Sequence, residues 1–271
     1  MTGSSQVTAV DPIFAKTTLV EPFLRSEGQS DKNLGSATGF FFEYNQQLYL
    51  ITNRHVLVDE SKAHYPDHVR LRLHGRNNLT EVVQVEIPLV TNGSRRWIEH
   101  QQPGVDVAAV PLPTTRLKEA GTILSFGAAD LVPGDVVLGW AQDVVVVGYP
   151  LGFYDDVFNL PIMRRATVAS AYGVPFRGEP RFLIDAQLHE GTSESPVVSA
   201  PQTMIQRGSN MTLSTRPTSF LLGVHSASLS LVMQSREGDG AGDPQEQLEP
   251  LGLSVVWYAR LIEEMLAHGT R

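Results

Sequence analysis

The stretch ATGFFFEYNQQLYLITNRHVL, residues 37–57, sets two apolar runs on either side of a polar turn and then places a histidine, His55, just past the second run. Short runs rich in aromatic and branched residues, bounded by turn formers, read as β-strands. The same texture recurs outward in both directions: VRLRLHG, EVVQVEIPL, DVAAVPL, DVVVVGYP, ATVASAYG, RFLIDAQL, SPVVSA, SFLLGVHSASLSLV and LGLSVVWYA. Only the end of the chain has a helical period, with Val256, Ala259, Leu261, Ile262, Met265 and Leu266 on one face and Glu263 and Glu264 opposite. Many closely spaced strands without strand-helix-strand alternation point to antiparallel barrels or a sandwich. The fold class is therefore all-β with a closing helix over about residues 256–268.

The stretch 113–135 mixes turn residues and charge between two strand-rich halves, so the natural division is an N-terminal barrel over 1–120 and a C-terminal barrel over 121–271. Two such bodies leave a cleft between them. Residues 201–217 read as a long hairpin tip, and the polar, Gly- and Pro-rich residues 235–250 as a loop.

Composition removes several function classes. Hydrophobic residues make up 42% and charged residues 18%, as in a globular, soluble chain. No apolar run approaches the roughly 20 residues that span a bilayer. The amino-terminal residues lack the basic start and apolar core of a secretion signal, so the expected location is the cytoplasm. Cysteine is absent, which excludes disulfides, thiolate nucleophiles and cysteine-based zinc sites. The net charge of −8 is spread along the chain without a basic patch, so neither a nucleic-acid nor a membrane partner is expected. His64, His68 and His74 lie in a polar stretch without the tight ligand set that a metal demands, and no metal or organic cofactor is expected.

Three short motifs carry chemistry. His55 sits where a strand hands over to a loop, a place where a rigid scaffold can aim an imidazole into a cleft for general-base work. An isolated histidine of this kind is more often a half-buried packing residue. Asp106 opens the apolar run DVAAVPL, and a carboxylate there needs a dedicated partner, such as a histidine N–H or the backbone of a turn. In LHEGTSESPV, residues 188–197, Gly191 allows a sharp reversal and Pro196 begins the next strand, so Ser193 stands on a tight turn. Read alone, it is an ordinary Ser/Thr-rich turn.

Together the motifs resemble the chymotrypsin/trypsin-like serine peptidases, especially the cysteine-free bacterial trypsin-like domains related to the HtrA proteases. TGFFF…YLITNRHV is similar to that family's strand and histidine motif, VDVAAV to its aspartate motif and GTSESP to its serine motif. VGYPLGFYDD…PIMRRATVAS and LLGVHSASL extend the likeness, which runs from about residue 35 to about 256. The resemblance implies two six-stranded Greek-key barrels. It further implies a serine endopeptidase with Ser193 as nucleophile, His55 as general base and then acid, and Asp106 as the group that fixes the histidine tautomer. The backbone N–H groups of Gly191 and Ser193 would form the oxyanion hole, and Gln187, Ser226, Ala227 and Ser228 would line the substrate pocket. No acid stands at the pocket base, so an uncharged side chain is expected before the cleaved bond. The partner is then a protein or peptide substrate, and the absence of an Ile-Val-Gly-Gly start implies activation by another route, for example by a partner protein.

One residue departs from the pattern. Glu194 stands where the family has glycine, either crowding the cleft with a carboxylate that opposes oxyanion charge, or turned away to solvent or to Arg164 or Arg165. The alternative function is a protease-like binding or regulatory module that has lost turnover through Glu194. A shifted register with Ser195 as nucleophile is the weaker assignment, because it leaves Gly191 too far back.

Overall fold

A computed structural model of the chain describes residues 10–269 apart from 27, 29, 76–79, 189–191 and 235–245, together with the backbone but not the side chains of 231–234 and 246–248. The opening stretch folds as the strands Ala37–Tyr44 and Gln47–Thr52, paired antiparallel from Tyr44 opposite Gln47 to Phe40 opposite Ile51. The two residues between them, Asn45 and Gln46, have φ of 49° and 65°. Positive φ at both central positions suits the right-handed twist of the flanking strands, which is why a two-residue hairpin loop takes this form.

Ala37–Tyr44 is the middle of an eight-stranded antiparallel sheet. The path runs Val82–Pro88, His68–His74, Thr17–Leu24, Ala37–Tyr44, Gln47–Thr52, Ala108–Pro111, Ile98–Glu99, with Lys32–Asn33 paired to Thr17–Leu24. In the second half, Asp143–Gly148, Ile162–Val168, Arg181–Asp185, Glu246–Tyr258, Leu221–Gln234 and Pro196–Ser199 close into a six-stranded barrel. The expected all-β, chymotrypsin-like class with a closing helix holds; the barrel closes among the described residues of the second half, while the first half forms the long curved sheet.

The three consecutive phenylalanines explain how the halves join. Side chains alternate across a strand, so Phe41 packs with Leu48, Leu50, Val69 and Leu71 inside the first half. Phe40 and Phe42 face the other way, in one continuous core with Val144, Val146, Val197 and Val224 of the barrel. Burial on both faces hides the period-2 pattern, which is why the run reads as uniformly apolar.

The closing helix spans Arg260–His268 and buries Leu261, Ile262 and Met265. Its start corrects the expected 256. Val256 belongs to the strand Glu246–Tyr258, paired with Phe182 on one side and His225 on the other. The ladder on both edges outcompetes the helical period. The helix ends against the first half: a Cβ on Gly269 would meet Ile98 Cγ2 at 2.5 Å, and Gln101 Nε2 donates to the His268 carbonyl. Residues 202–218 form the expected hairpin, Gln202–Arg207 with Asn210–Thr218. Of the stretch 235–250, residues 246–250 extend the strand Glu246–Tyr258, contrary to the expected loop, because they pair with residues 230–234; the rest lies outside the described residues. The charged linker also holds a helix, Thr114–Ala120, whose Leu117 is fully buried. No helix among the described residues is long and apolar enough to cross a membrane.

Candidate active site

His55 lies on the four-residue helix Arg54–Leu57, one residue beyond the Gln47–Thr52 strand and Asn53. Its Nδ1 is 2.8 Å from Asp106 Oδ2, and its backbone N–H donates to Asp106 Oδ1 at 3.1 Å. Asp106 precedes the strand Ala108–Pro111, which pairs directly with Gln47–Thr52, so neighbouring strands bring the two residues together. The Ser226 hydroxyl donates to Asp106 Oδ2 at 3.1 Å, and the Asn53 side chain donates to the Asp106 carbonyl. The half-buried carboxylate thus has its dedicated partners: three donors on its oxygens, one of them the imidazole. An Nδ1–H aimed at Asp106 leaves Nε2 as the imidazole's outward nitrogen.

Ser193 comes to the same place from the second half. His55, Ser193, Glu194, Leu188 and the Ser226–Ser228 edge border one cleft of ≈ 1040 Å³. Nε2 of His55, however, faces Glu194: Oε1 lies 3.2 Å away, and Oε2 accepts the Thr38 N–H at 3.2 Å. The Glu194 side chain is 2% exposed. Neither expected arginine reaches it, since Arg164 donates to the Gln187 carbonyl and Arg165 pairs with Asp143. The inward orientation is fixed by the backbone. Glu194 has φ of 71°, a left-handed conformation that costs a side-chain-bearing residue roughly 1–2 kcal/mol and that glycine adopts freely. Its N–H donates to the His225 carbonyl at 2.8 Å, and the His225 N–H donates to the Ser195 carbonyl at 2.9 Å, clamping the turn onto the neighbouring strand.

Burial alone would lower the His55 pKa, but the carboxylates of Asp106 and Glu194, one on each ring nitrogen, outweigh it and push the imidazole up to about 10. Burial also raises Glu194 above the ordinary carboxylate range, against the pull of His55 and the Thr38 N–H.

Ser195 does not compete as a nucleophile. It is fully buried, its hydroxyl has no hydrogen-bond partner among the described residues, and it packs against Gly148 and does not border the cleft. Gln187 is exposed and does not border the cleft; Leu188 takes that place, and the Ser228 hydroxyl donates to its carbonyl at 3.1 Å. Gly191 lies outside the described residues. Two residues went unread in the sequence. His225 is buried, with Nδ1–H donating to the Thr192 carbonyl at 2.7 Å, and burial pushes it down to about 4, so it is a neutral strut of the turn. Thr38 both meets Glu194 and accepts the Tyr149 N–H at 2.9 Å, joining the halves. A histidine inside an apolar strand and a threonine before Gly39 carry no signature of such roles.

Of the three histidines weighed as metal ligands, His68 alone falls in a cluster among the described residues, with Asp31 and Glu86. Its Nε2 is 3.4 and 3.5 Å from their oxygens, and Nδ1 contacts Asp67. The Arg70 guanidinium binds the same Asp31 oxygen that faces His68, and Arg25 binds Glu86. Guanidinium groups already neutralise both carboxylates, and the cluster reads as an ion-pair network.

The trypsin-like peptidase domain family matches residues 37–205, more than half of the chain. This chain belongs to that family. The matched segment contains His55, Asp106 and Ser193 and stops before the Ser226–Ser228 edge. The nearer likeness to the HtrA proteases rests on the sequence motifs alone. Comparison with curated proteins gives no significant match.

Proposed function

We propose that the chain is a serine endopeptidase that cleaves peptide bonds by acyl transfer through Ser193. The observation that carries this reading is the 2.8 Å contact between His55 Nδ1 and Asp106 Oδ2 at a cleft that Ser193 also borders, in a chain of the trypsin-like family. On this reading residues 1–120 carry the base and its aspartate, and residues 121–271 carry the nucleophile.

In the reaction, the Ser193 Oγ–H proton passes to His55 Nε2 as Oγ bonds to the substrate carbonyl carbon. The C=O electron pair moves onto oxygen, where backbone N–H groups of Gly191 and Ser193 receive it; one such donor is worth about 2.7–4 kcal/mol. The imidazolium then gives its proton to the departing amine, and the C–N bond breaks. Water, deprotonated by the same imidazole, releases the acyl group and restores Ser193. Asp106 steadies the imidazolium throughout. Leu188 and the Ser226–Ser228 edge carry no acid, so an uncharged side chain before the cleaved bond is the proposed preference. The Ser226–Ser228 edge offers backbone groups to an extended peptide.

The test is a fluorophosphonate probe with the labelled residue mapped by peptide mass analysis. Labelling at Ser193, lost in Ser193→Ala, supports the reading; labelling elsewhere, or equal labelling of Ser193→Ala, rejects it.

A further inference from the structure

We propose that Glu194 is a built-in inhibitor of this site: in the resting chain its carboxylate occupies His55 Nε2, the atom that must receive the Ser193 proton. The inference rests on the assignment of Ser193, His55 and Asp106 above, and it names how that site is held in check.

Four observations converge. Nε2 has one outward direction for a hydrogen bond, and Glu194 Oε1 fills it at 3.2 Å. Ser193, although it borders the cleft, makes no hydrogen bond to His55 among those the structure shows. The second carboxylate oxygen is seated on the Thr38 N–H, so both oxygens of a side chain only 2% exposed are placed. The contact persists at the cost of a left-handed backbone for a non-glycine residue, held by the His225 and Ser195 backbone bonds. A residue in a strained conformation whose side chain meets the catalytic base marks a functional constraint rather than loose packing.

Activation then has a defined course. The proton on Nε2 moves to Glu194 Oε1, the pair becomes neutral imidazole and carboxylic acid, and the side chain swings out carrying that proton. Burial favours the neutral acid, which makes the transfer the natural first event. His55 is left with a free lone pair facing Ser193. Once in water the carboxylic acid ionises, so activation releases one proton to solvent.

The test compares fluorophosphonate labelling rates at pH 7 for wild type, Glu194→Gly, Glu194→Gln and the double variant S193A/E194G, with the His55 imidazole titrated by NMR in each. Glycine relieves the left-handed strain, and glutamine keeps the packing while removing the charge. A base with pKa about 10 is neutral about once in 10³ at pH 7, whereas an imidazole near 6.5 is mostly neutral there, so E194G is expected to label on the order of 10³-fold faster than wild type. S193A/E194G is expected not to label, and the His55 pKa is expected to fall in both single variants. Equal rates for wild type and E194G, both at Ser193, overturn the inhibitor while leaving the peptidase reading intact. An unchanged His55 titration in E194Q overturns the contact itself. No Ser193 labelling in any variant overturns the peptidase reading and the inhibitor with it.

Discussion

At the scale of the residue, His55 is held by one carboxylate too many for a base. With Asp106 on Nδ1 and Glu194 on Nε2, its pKa of about 10 places the neutral imidazole beyond neutral pH. The titratable groups around it are Asp106 from the loop before Ala108–Pro111, Glu194 from the turn, and Lys32, Asp59, Lys62 and His64 along the cleft. The wild-type labelling rate is therefore expected to keep rising up to about pH 10, whereas Glu194→Gly should level off nearer the ordinary histidine value of 6.5; coincident pH profiles would contradict this. Asp106→Asn is expected to slow labelling of E194G by about 10⁴-fold, because the wrong imidazole tautomer then predominates. Circular dichroism of that variant separates the effect from misfolding. In the sequence, the order His55, Asp106, Ser193 was legible because each lies in a motif with its own local pattern. The departure at Glu194 was legible too, but its direction was not: that depends on Thr38 and His55, more than a hundred residues away and brought near only by folding.

At the scale of the element, the turn 192–195 is positioned by strand packing. A Cβ on Gly148 would stand 2.1 Å from Ser195 Oγ and 2.8 Å from Thr38 Oγ1. Gly148→Ala should displace the turn, lowering stability by about 1–3 kcal/mol and slowing labelling at Ser193. Denaturant unfolding and probe kinetics check both effects, and a fully stable variant would contradict the tight packing. Ile262→Ala, at a fully buried position on the closing helix, is expected to cost about 2–5 kcal/mol, read by the same unfolding measurement. The strands were legible from their branched and aromatic runs. Their facing was hidden where both sides are buried, as at Phe40–Phe42. The helix start was misplaced at Val256 because an apolar run fits both periods and only the ladder with Phe182 and His225 decides. Thr114–Ala120 was concealed by its turn-like composition.

At the scale of the whole molecule, the halves meet through one core shared by Phe40 and Phe42 with the barrel valines, through Thr38 with Tyr149, and through the closing helix against Ile98–Glu99. Two histidines, His55 at the cleft and the buried His225, make stability depend on pH in opposite senses. His55, raised in the fold, contributes stability that is fully present below pH 6.5 and is lost as pH rises through about 10. His225, lowered in the fold, is bound by fewer protons than in the unfolded chain between about 6.5 and about 4, so stability falls on acidification across that window. The slope from His225 is at most about 1.4 kcal/mol per pH unit. His225→Asn, which keeps a donor for the Thr192 carbonyl, is expected to flatten the acid limb of the denaturation curve; an unchanged limb would contradict the neutral strut. The central claim concerns the covalent bond that Ser193 forms. The most direct measurement is intact mass and peptide mapping of E194G mixed with an activated acyl ester and quenched in acid. An acyl adduct on Ser193, absent from S193A/E194G and kept in Ser195→Ala/E194G, is the predicted result, and an adduct on another residue, or none, would contradict it.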